Sequence, residues 1–409
     1  MLTARRITKD ELAKTGELFR IAFEFPDPNA EDNETMLKKL EENPDSRRAK
    51  FATEKWAAFD EEGNMAAWIG GARYFANFDG TIFPMSGIGG VSSLPQYRHQ
   101  GGIRKCFEQQ LRANYDDGVV LSYLYPFSTK FYGKYGDEPT GKVAYYTIPL
   151  RGIDKQNVGG TVKPHYMGSC KEDIIKVYND YMSKFNFACA RDEYDWKYLD
   201  TSDMSKSGQY IYVWYNNEGE AKGVIGFKKD KDKVEKFNLQ TGNMFWYSDA
   251  EGLRGLLEFA RGFEVYYRNL IIKVPADAPI NAYVREWAMY PQECAVYSMG
   301  MARVINVTEI LKAAKYRGCG DIKIAVKDDF LPENNKTFAV TFENGKAIEV
   351  AATEDAADVE MDIGVFSKFI YGDKDVFFMP EYPGVKINCC EEKWQKVFYP
   401  KPLFILDMF

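Results

Sequence analysis

Arg98-His99-Gln100-Gly101-Gly102-Ile103-Arg104 gathers two guanidiniums, an imidazole and two glycines into one run, just after an apolar strand and Pro95 and at the start of an amphipathic stretch. Such a run can hold an anion. A helix N-terminus carries unpaired N–H groups and about half a positive charge, and a glycine-permitted backbone there can wrap a pyrophosphate. Gly101 and Gly102 allow the close approach, and Arg98 adds a charged contact. Neither a dinucleotide GxGxxG nor a Walker GxxxxGK[ST] is present, and an R-x-x-G turn alone also fits a plain structural loop. Other chemistries are poorly served. With only two histidines, His99 and His165, there is no HExxH site, and a Ser-His-Asp triad would depend on one of the two. Seven cysteines, with no CxxC pair, imply reduced thiols and no metal site.

Elements must position this turn. The spacing of Leu12, Leu18 and Phe19 predicts a helix near the N-terminus, and the alternation around Glu62-Gly63 predicts a hairpin. A strand ending near Ser93, a helix with Ile103, Cys106, Phe107 and Leu111 inward, and the apolar strand of VVLSYLYP follow. The order helix, hairpin, strand, helix, strand then recurs. Glu62-Gly63 and Ile69-Gly70 return at one constant offset as Glu218-Gly219 and Ile225-Gly226. In the second copy the basic turn is replaced by Ser248-Asp249-Ala250-Glu251-Gly252, whose carboxylates would repel a phosphate. After residue 292 the pattern changes to a separate α+β unit. At 409 residues, three domains are expected: 1–150, 151–292 and 293–409. The net charge of −7 argues against nucleic-acid and anionic-membrane partners, and no stretch reaches the roughly 20 apolar residues of a membrane span. A cytosolic, cytoplasmic protein is expected.

The strand GIGGVSSL, Pro95, the Arg98-x-x-Gly101-Gly102 turn, an amphipathic helix and a following strand together resemble motif A of the GNAT N-acetyltransferase superfamily. KFYGKYGDEP, Lys130 to Pro139, resembles the tyrosine segment of the Eis (enhanced intracellular survival) acetyltransferases, an aromatic-Tyr-Gly-basic-aromatic-Gly run. The resemblance spans the whole chain. It implies an α+β (α/β) protein with two tandem GNAT-like lobes, the second degenerate, and a C-terminal sterol-carrier-protein-like domain. It also implies acetyl-CoA as co-substrate, with pantetheine along Val91, Ser92 and Ser93 and the pyrophosphate at His99, Gln100, Gly101, Gly102, Ile103 and Arg104, beside the charged contact of Arg98. Phe127 and Ser128 would lie near the thioester. Relatives often carry consecutive arginines at His99 and Gln100 and a larger apolar residue at Gly102, so backbone donors are expected to do most of the holding here.

Two acid–base groups follow from the same resemblance. Tyr132 matches the acid that protonates the departing thiolate, and the terminal carboxylate of Phe409 matches the base toward the amine. A phenol near 10 against a thiol near 8.5 leaves about 2 kcal/mol uphill, which proximity can cover. A carboxylate near 3.5 facing an ammonium near 10 is mismatched by about 9 kcal/mol in water, so desolvation, a relaying water or a partly electrostatic role is required. The apolar tail KPLFILDMF suits docking into a groove rather than a frayed end. The implied function is direct acetyl transfer to an amine of an aminoglycoside or other polycation, with Glu24, Asp27 or Asp407 as guesses for acidic attraction. The resemblance further implies a homo-oligomer, a hexamer. Two alternatives stay open: an apolar-ligand-binding protein using the C-terminal domain, and a protein lysine acetyltransferase.

Overall fold

The computed structural model describes residues 1–228, 238–285, 289–374 and 376–409. The chain divides into two compact units, one of residues 1–141, 300–402 and 407–409, the other of residues 142–299 and 403–406. The expected boundary at 150 therefore lies past the end of the strand Glu138–Pro149, within which the division falls. The expected boundary at 292/293 opens the strand Glu293–Val304, whose residues 300–304 belong to the first unit.

In the first unit, β1 (Thr3–Arg6), β2 (Lys55–Phe59), β3 (Met65–Phe78) and β4 (Thr81–Ser93) form an antiparallel series. The β2–β3 turn forms because Asp60 accepts the amides of Glu62 and Asn64 at 3.0 and 2.8 Å, and Gly63 takes φ +84°. β5 (Leu121–Leu124) then runs parallel to β4, reached through α4 (Gly102–Asp116). The earlier helices are α1 (Leu12–Ala22), α2 (Asn33–Glu41) and α3 (Arg47–Lys50). Helix α4 buries Cys106, Phe107 and Leu111, which an amphipathic 3.6-residue period places on one face.

Residues 301–304 pair antiparallel with β5 and lead into a C-terminal five-stranded sheet in the order Lys346–Thr353, Lys336–Glu343, Gly320–Lys327, Val359–Asp362, Lys386–Ile387. Alternating residues Ile322, Ile324 and Val326 and Phe338, Val340 and Phe342 bury one face. The helix Ile363–Ile370 is buried throughout its length.

The second unit repeats the element order of the first lobe. A helix Lys171–Met182, a hairpin Gln209–Tyr215 with Ala221–Lys228, a strand Phe245–Tyr247, a helix Ala250–Arg261 and a strand Asn269–Pro275 follow one another. One face of its core gathers Leu253, Leu256 and Ile272, and another gathers Tyr178, Trp246 and the tail residues Phe404 and Leu406. The architecture is mixed α+β. No helix among the described residues is long and apolar enough to cross a membrane.

Candidate active site

The parallel pairing of β4 with β5 covers only Met85–Ile88 against Leu121–Leu124, whereas β4 continues to Ser93. Beyond Ile88 the two strands part. The β3–β4 register shifts between Trp68 and Gly70, and Gly90 adopts φ +62° with a Cβ position only 2.5 Å from the Trp68 ring, so only glycine fits this bulge. An unpaired stretch of β4 edge, Gly89–Ser93, results, and an extended ligand backbone can pair with such an edge.

Past Ser93 the chain makes a short 3-10 turn at Pro95–Tyr97, then two left-handed residues, His99 at φ +65° and Gly101 at +78°. Gly101 is the N-cap of α4 and offers no side chain; the amides of Gly102, Ile103 and Arg104 find no acceptor among the described residues. Gly102 serves another purpose. A Cβ there would meet Ala67, Leu2 and Ala58 at 3.1–3.4 Å, so its missing side chain lets α4 approach the sheet rather than letting an anion approach the turn.

A cavity of about 720 Å³ opens over this turn. Among the anticipated binding residues, Val91, Ser92, Ser93, Arg98, His99, Gly101, Gly102, Ile103, Arg104 and Phe127 line it. Gln100 and Ser128 do not: the Gln100 amide donates to the Gln96 carbonyl at 3.0 Å, and the Ser128 hydroxyl accepts the Phe131 amide at 3.3 Å as cap of α5 (Thr129–Tyr132). Sequence reasoning missed Ala22, Phe23, Tyr97, Phe131, Lys134 and Tyr135. The last three lie in the quoted tyrosine segment, so a signal for them existed; Ala22 and Phe23 at the end of α1 carried none.

Tyr132 is 4% exposed and lies beside the cavity rather than in its lining, its ring 5.4 Å from Phe127 and 5.1 Å from Phe131. Burial pushes its phenol well above the ordinary value, with the Asp137 charge and Tyr135 adding, so the group is fully protonated near neutrality. Tyr135 stacks on Phe107 of α4 at 4.1 Å, which ties this turn to the helix. From the other side Arg303, fully buried, donates to the Tyr135 carbonyl and pairs with Asp328, and a Cβ on Gly136 would lie 3.0 Å from its guanidinium.

Asp137, 1% exposed, has an Oδ1 without a hydrogen-bond partner among the described residues. Burial pushes its carboxyl up to about 7, Arg303 pulling it down and Glu138 pushing it up. A carboxyl raised in the folded state favours folding most below its unfolded value near 4 and loses that contribution as pH rises through about 7. Asp137→Asn is therefore expected to raise the melting temperature more at pH 8 than at pH 5, with a ceiling of about 4 kcal/mol. An equal shift at both pH values, in thermal melts followed by circular dichroism, would contradict this origin.

The chain end reaches the parting of β4 and β5. A Cβ on Gly89 would lie 2.9 Å from the carboxyl carbon of Phe409, and one on Gly87 2.7 Å from its ring. The Phe409 ring sits 4.9 Å from Tyr74 and 5.4 Å from Tyr125, and the Tyr125 hydroxyl donates to the Asp407 carbonyl at 2.7 Å. Glu24 and Asp27 are exposed after α1, and Asp27 accepts the Asn29 amide at 2.9 Å.

The corresponding helix start in the second unit is already filled. Asp249 caps it, accepting the Gly252 amide at 3.0 Å, with Lys222 3.2 Å away. Although burial pushes this carboxyl upward, the Gly252 amide and Lys222 hold it below its ordinary value. The side chain occupies the position an anion would take, so calorimetric titration with acetyl-CoA is expected to give one site per chain; two would refute it. His165 likewise has a structural role, its Nδ1 accepting the Cys170 amide at 3.3 Å and its Nε2 2.9 Å from the Leu199 carbonyl.

Comparison with known proteins agrees with these parts. The profile of the Acetyltransferase (GNAT) domain matches residues 3–140, a second Acetyltransferase (GNAT) domain matches residues 188–304, and a Sterol carrier protein domain matches residues 307–392. Among solved structures, a protein of unknown function and probable N-acyltransferase from Enterococcus faecalis V583 is 22% identical, with both chains covered in full at a TM-score of 0.83. A GCN5-related N-acetyltransferase from Anabaena variabilis ATCC 29413 is 16% identical, also over both full chains, with a TM-score of 0.81. Eis1 from Mycobacterium abscessus is 15% identical over 99% of this chain and 100% of its own, with a TM-score of 0.78. At these identities the likeness is one of fold. A search of curated proteins finds no match.

Proposed function

We propose that this chain, a GNAT acetyltransferase built of two GNAT domains and a sterol carrier protein domain, transfers acetyl from acetyl-CoA directly to the amine of a cationic small molecule. The observation that carries the reading is the coincidence of three features in the first lobe: the uncapped start of α4, the unpaired β4 edge, and one cavity that spans both. Backbone amides of Gly102–Arg104 with Arg98 would take the pyrophosphate, and Val91–Ser93 would pair with the pantetheine. The thioester would then lie toward Phe127 and Tyr132, and the acceptor toward the Phe409 carboxylate.

The Phe409 carboxyl lies beside Gly89 while its ring packs on Tyr74 and Tyr125, and a carboxylate close to aromatic rings favours an ammonium over a neutral amine. This supports a polyamine or aminoglycoside over a neutral amine. Acetyl-CoA-dependent thiol release measured with spermidine, an aminoglycoside, a lysine peptide and a neutral aromatic amine tests the class. Turnover of the polycations well above the neutral amine is the expected result. Preference for the lysine peptide would move the reading to protein acetylation, and no release with any amine would move it to apolar-ligand binding by the C-terminal domain.

A further inference from the structure

We propose that Lys134 anchors the ribose 3′-phosphate of the coenzyme, so that the site selects CoA over its 3′-dephosphorylated form. The inference rests on the acetyl-CoA reading and goes beyond it by assigning a second phosphate subsite. The cavity lining carries three cationic side chains, Arg98, Arg104 and Lys134, and no carboxylate, in a chain whose net charge is −7. A local excess of positive charge in an acidic chain marks a polyanion site.

The three cations are not equivalent. Arg98 follows the 3-10 turn and lies with the free amides of the α4 start, where a pyrophosphate is already well served. Arg104 is held at 2.9 Å by Glu108 one helical turn on, which offsets its charge. Lys134 comes from a different element, the turn after Tyr132, and makes no ion pair among the described residues. Its Nζ lies 5.9 Å from the centroid of the Phe131 ring, at the outer edge of the cation–π range, so the contact leaves the ammonium able to take an anion. Arg104, Lys134 and Tyr135 all line the cavity, and Arg104 lies 5.7 Å over Phe330, whose ring is 5.7 Å from that of Tyr135. One pyrophosphate does not need all of this charge. A CoA molecule offers a second dianionic group, the 3′-phosphate, and a flexible ammonium on an exposed stem suits a phosphomonoester.

Calorimetric titration of the full chain with CoA and with dephospho-CoA tests the assignment. The unmodified chain is expected to bind CoA about tenfold more tightly, a preference that shrinks as salt is raised. Lys134→Met should bring the two ligands to within about twofold by weakening CoA alone, and unchanged dephospho-CoA binding shows that the variant is folded. Arg98→Met should weaken both ligands alike. Equal binding of the two ligands by the unmodified chain, or equal weakening of both by Lys134→Met, overturns the subsite and leaves the acetyl-CoA reading standing. Binding of neither ligand overturns both.

Discussion

Tyr132→Phe is expected to lower kcat by about 10²–10⁴-fold while the Kd for acetyl-CoA stays within about twofold. The asymmetry follows from where the residue sits. The phenol ring packs on Phe127, Phe131 and Phe107, and phenylalanine keeps those contacts, so the turn that lines the cavity with Phe131, Lys134 and Tyr135 is left in place. Only the hydroxyl proton is lost. Burial and the Asp137 charge keep that proton on the oxygen, which makes the group an acid at any working pH and raises the cost of giving it up. Transfer must therefore accompany cleavage of the carbon–sulfur bond, when basicity develops on the departing thiolate. Single-turnover rates and calorimetry on the same variant check this. An unchanged kcat removes Tyr132 from the mechanism, and a matching loss of binding reduces it to a packing residue.

Removal of Phe409 should be nearly as damaging, with kcat falling about 10²-fold or more and acetyl-CoA affinity little changed. Deletion removes both the ring that packs on Tyr74 and Tyr125 and the carboxylate at Gly89. Two further variants separate them. A C-terminal extension keeps the ring and replaces the carboxylate with an amide bond, and Gly89→Ala keeps the chain end but puts a Cβ 2.9 Å from the carboxyl carbon. Both are expected to depress kcat and to raise the KM for the amine. A fully active C-terminal fusion would exclude the carboxylate. Because a carboxylate is mismatched with an ammonium by about 9 kcal/mol in water, the part proposed for it is to hold the charged amine and stabilise charge rather than to take the proton unaided.

Much of this site is legible in the sequence because its determinants are local. The Arg98-x-x-Gly101-Gly102 run between an apolar strand and an amphipathic stretch reads as a glycine-permitted helix start, and Gly101 takes φ +78° there. What is not legible depends on partners far along the chain. His99 adopts a positive φ that its residue type does not demand. The parting of β4 from β5 after Ile88 is a matter of register, invisible until the strands are paired. Arg303 and Tyr135 meet across 168 positions, and nothing in the tyrosine segment names its anchor. Gly102 reads as part of the anion turn, but the sheet beneath it is what requires the missing side chain. Asp249 reads as a repulsive charge and turns out to act as a cap, the same chemistry turned inward. Nor does the sequence show that residues 300–402 cluster with residues 1–141 in one compact unit, since that grouping depends on contacts between distant stretches of chain.

The central claim is direct transfer from a single loaded lobe to an amine, and a single-turnover experiment addresses it most directly. Protein in slight excess is mixed with acetyl-CoA, free CoA is followed by chromatography so that the protein's own free cysteines do not count as released thiol, and a cationic amine is added later. The account predicts no thiol before the amine and one equivalent per acetyl-CoA after it, with the acetyl group on the amine. Thiol released before the amine, with the acetyl group left on the protein, would contradict direct transfer, and no thiol after any amine would contradict the proposed activity itself.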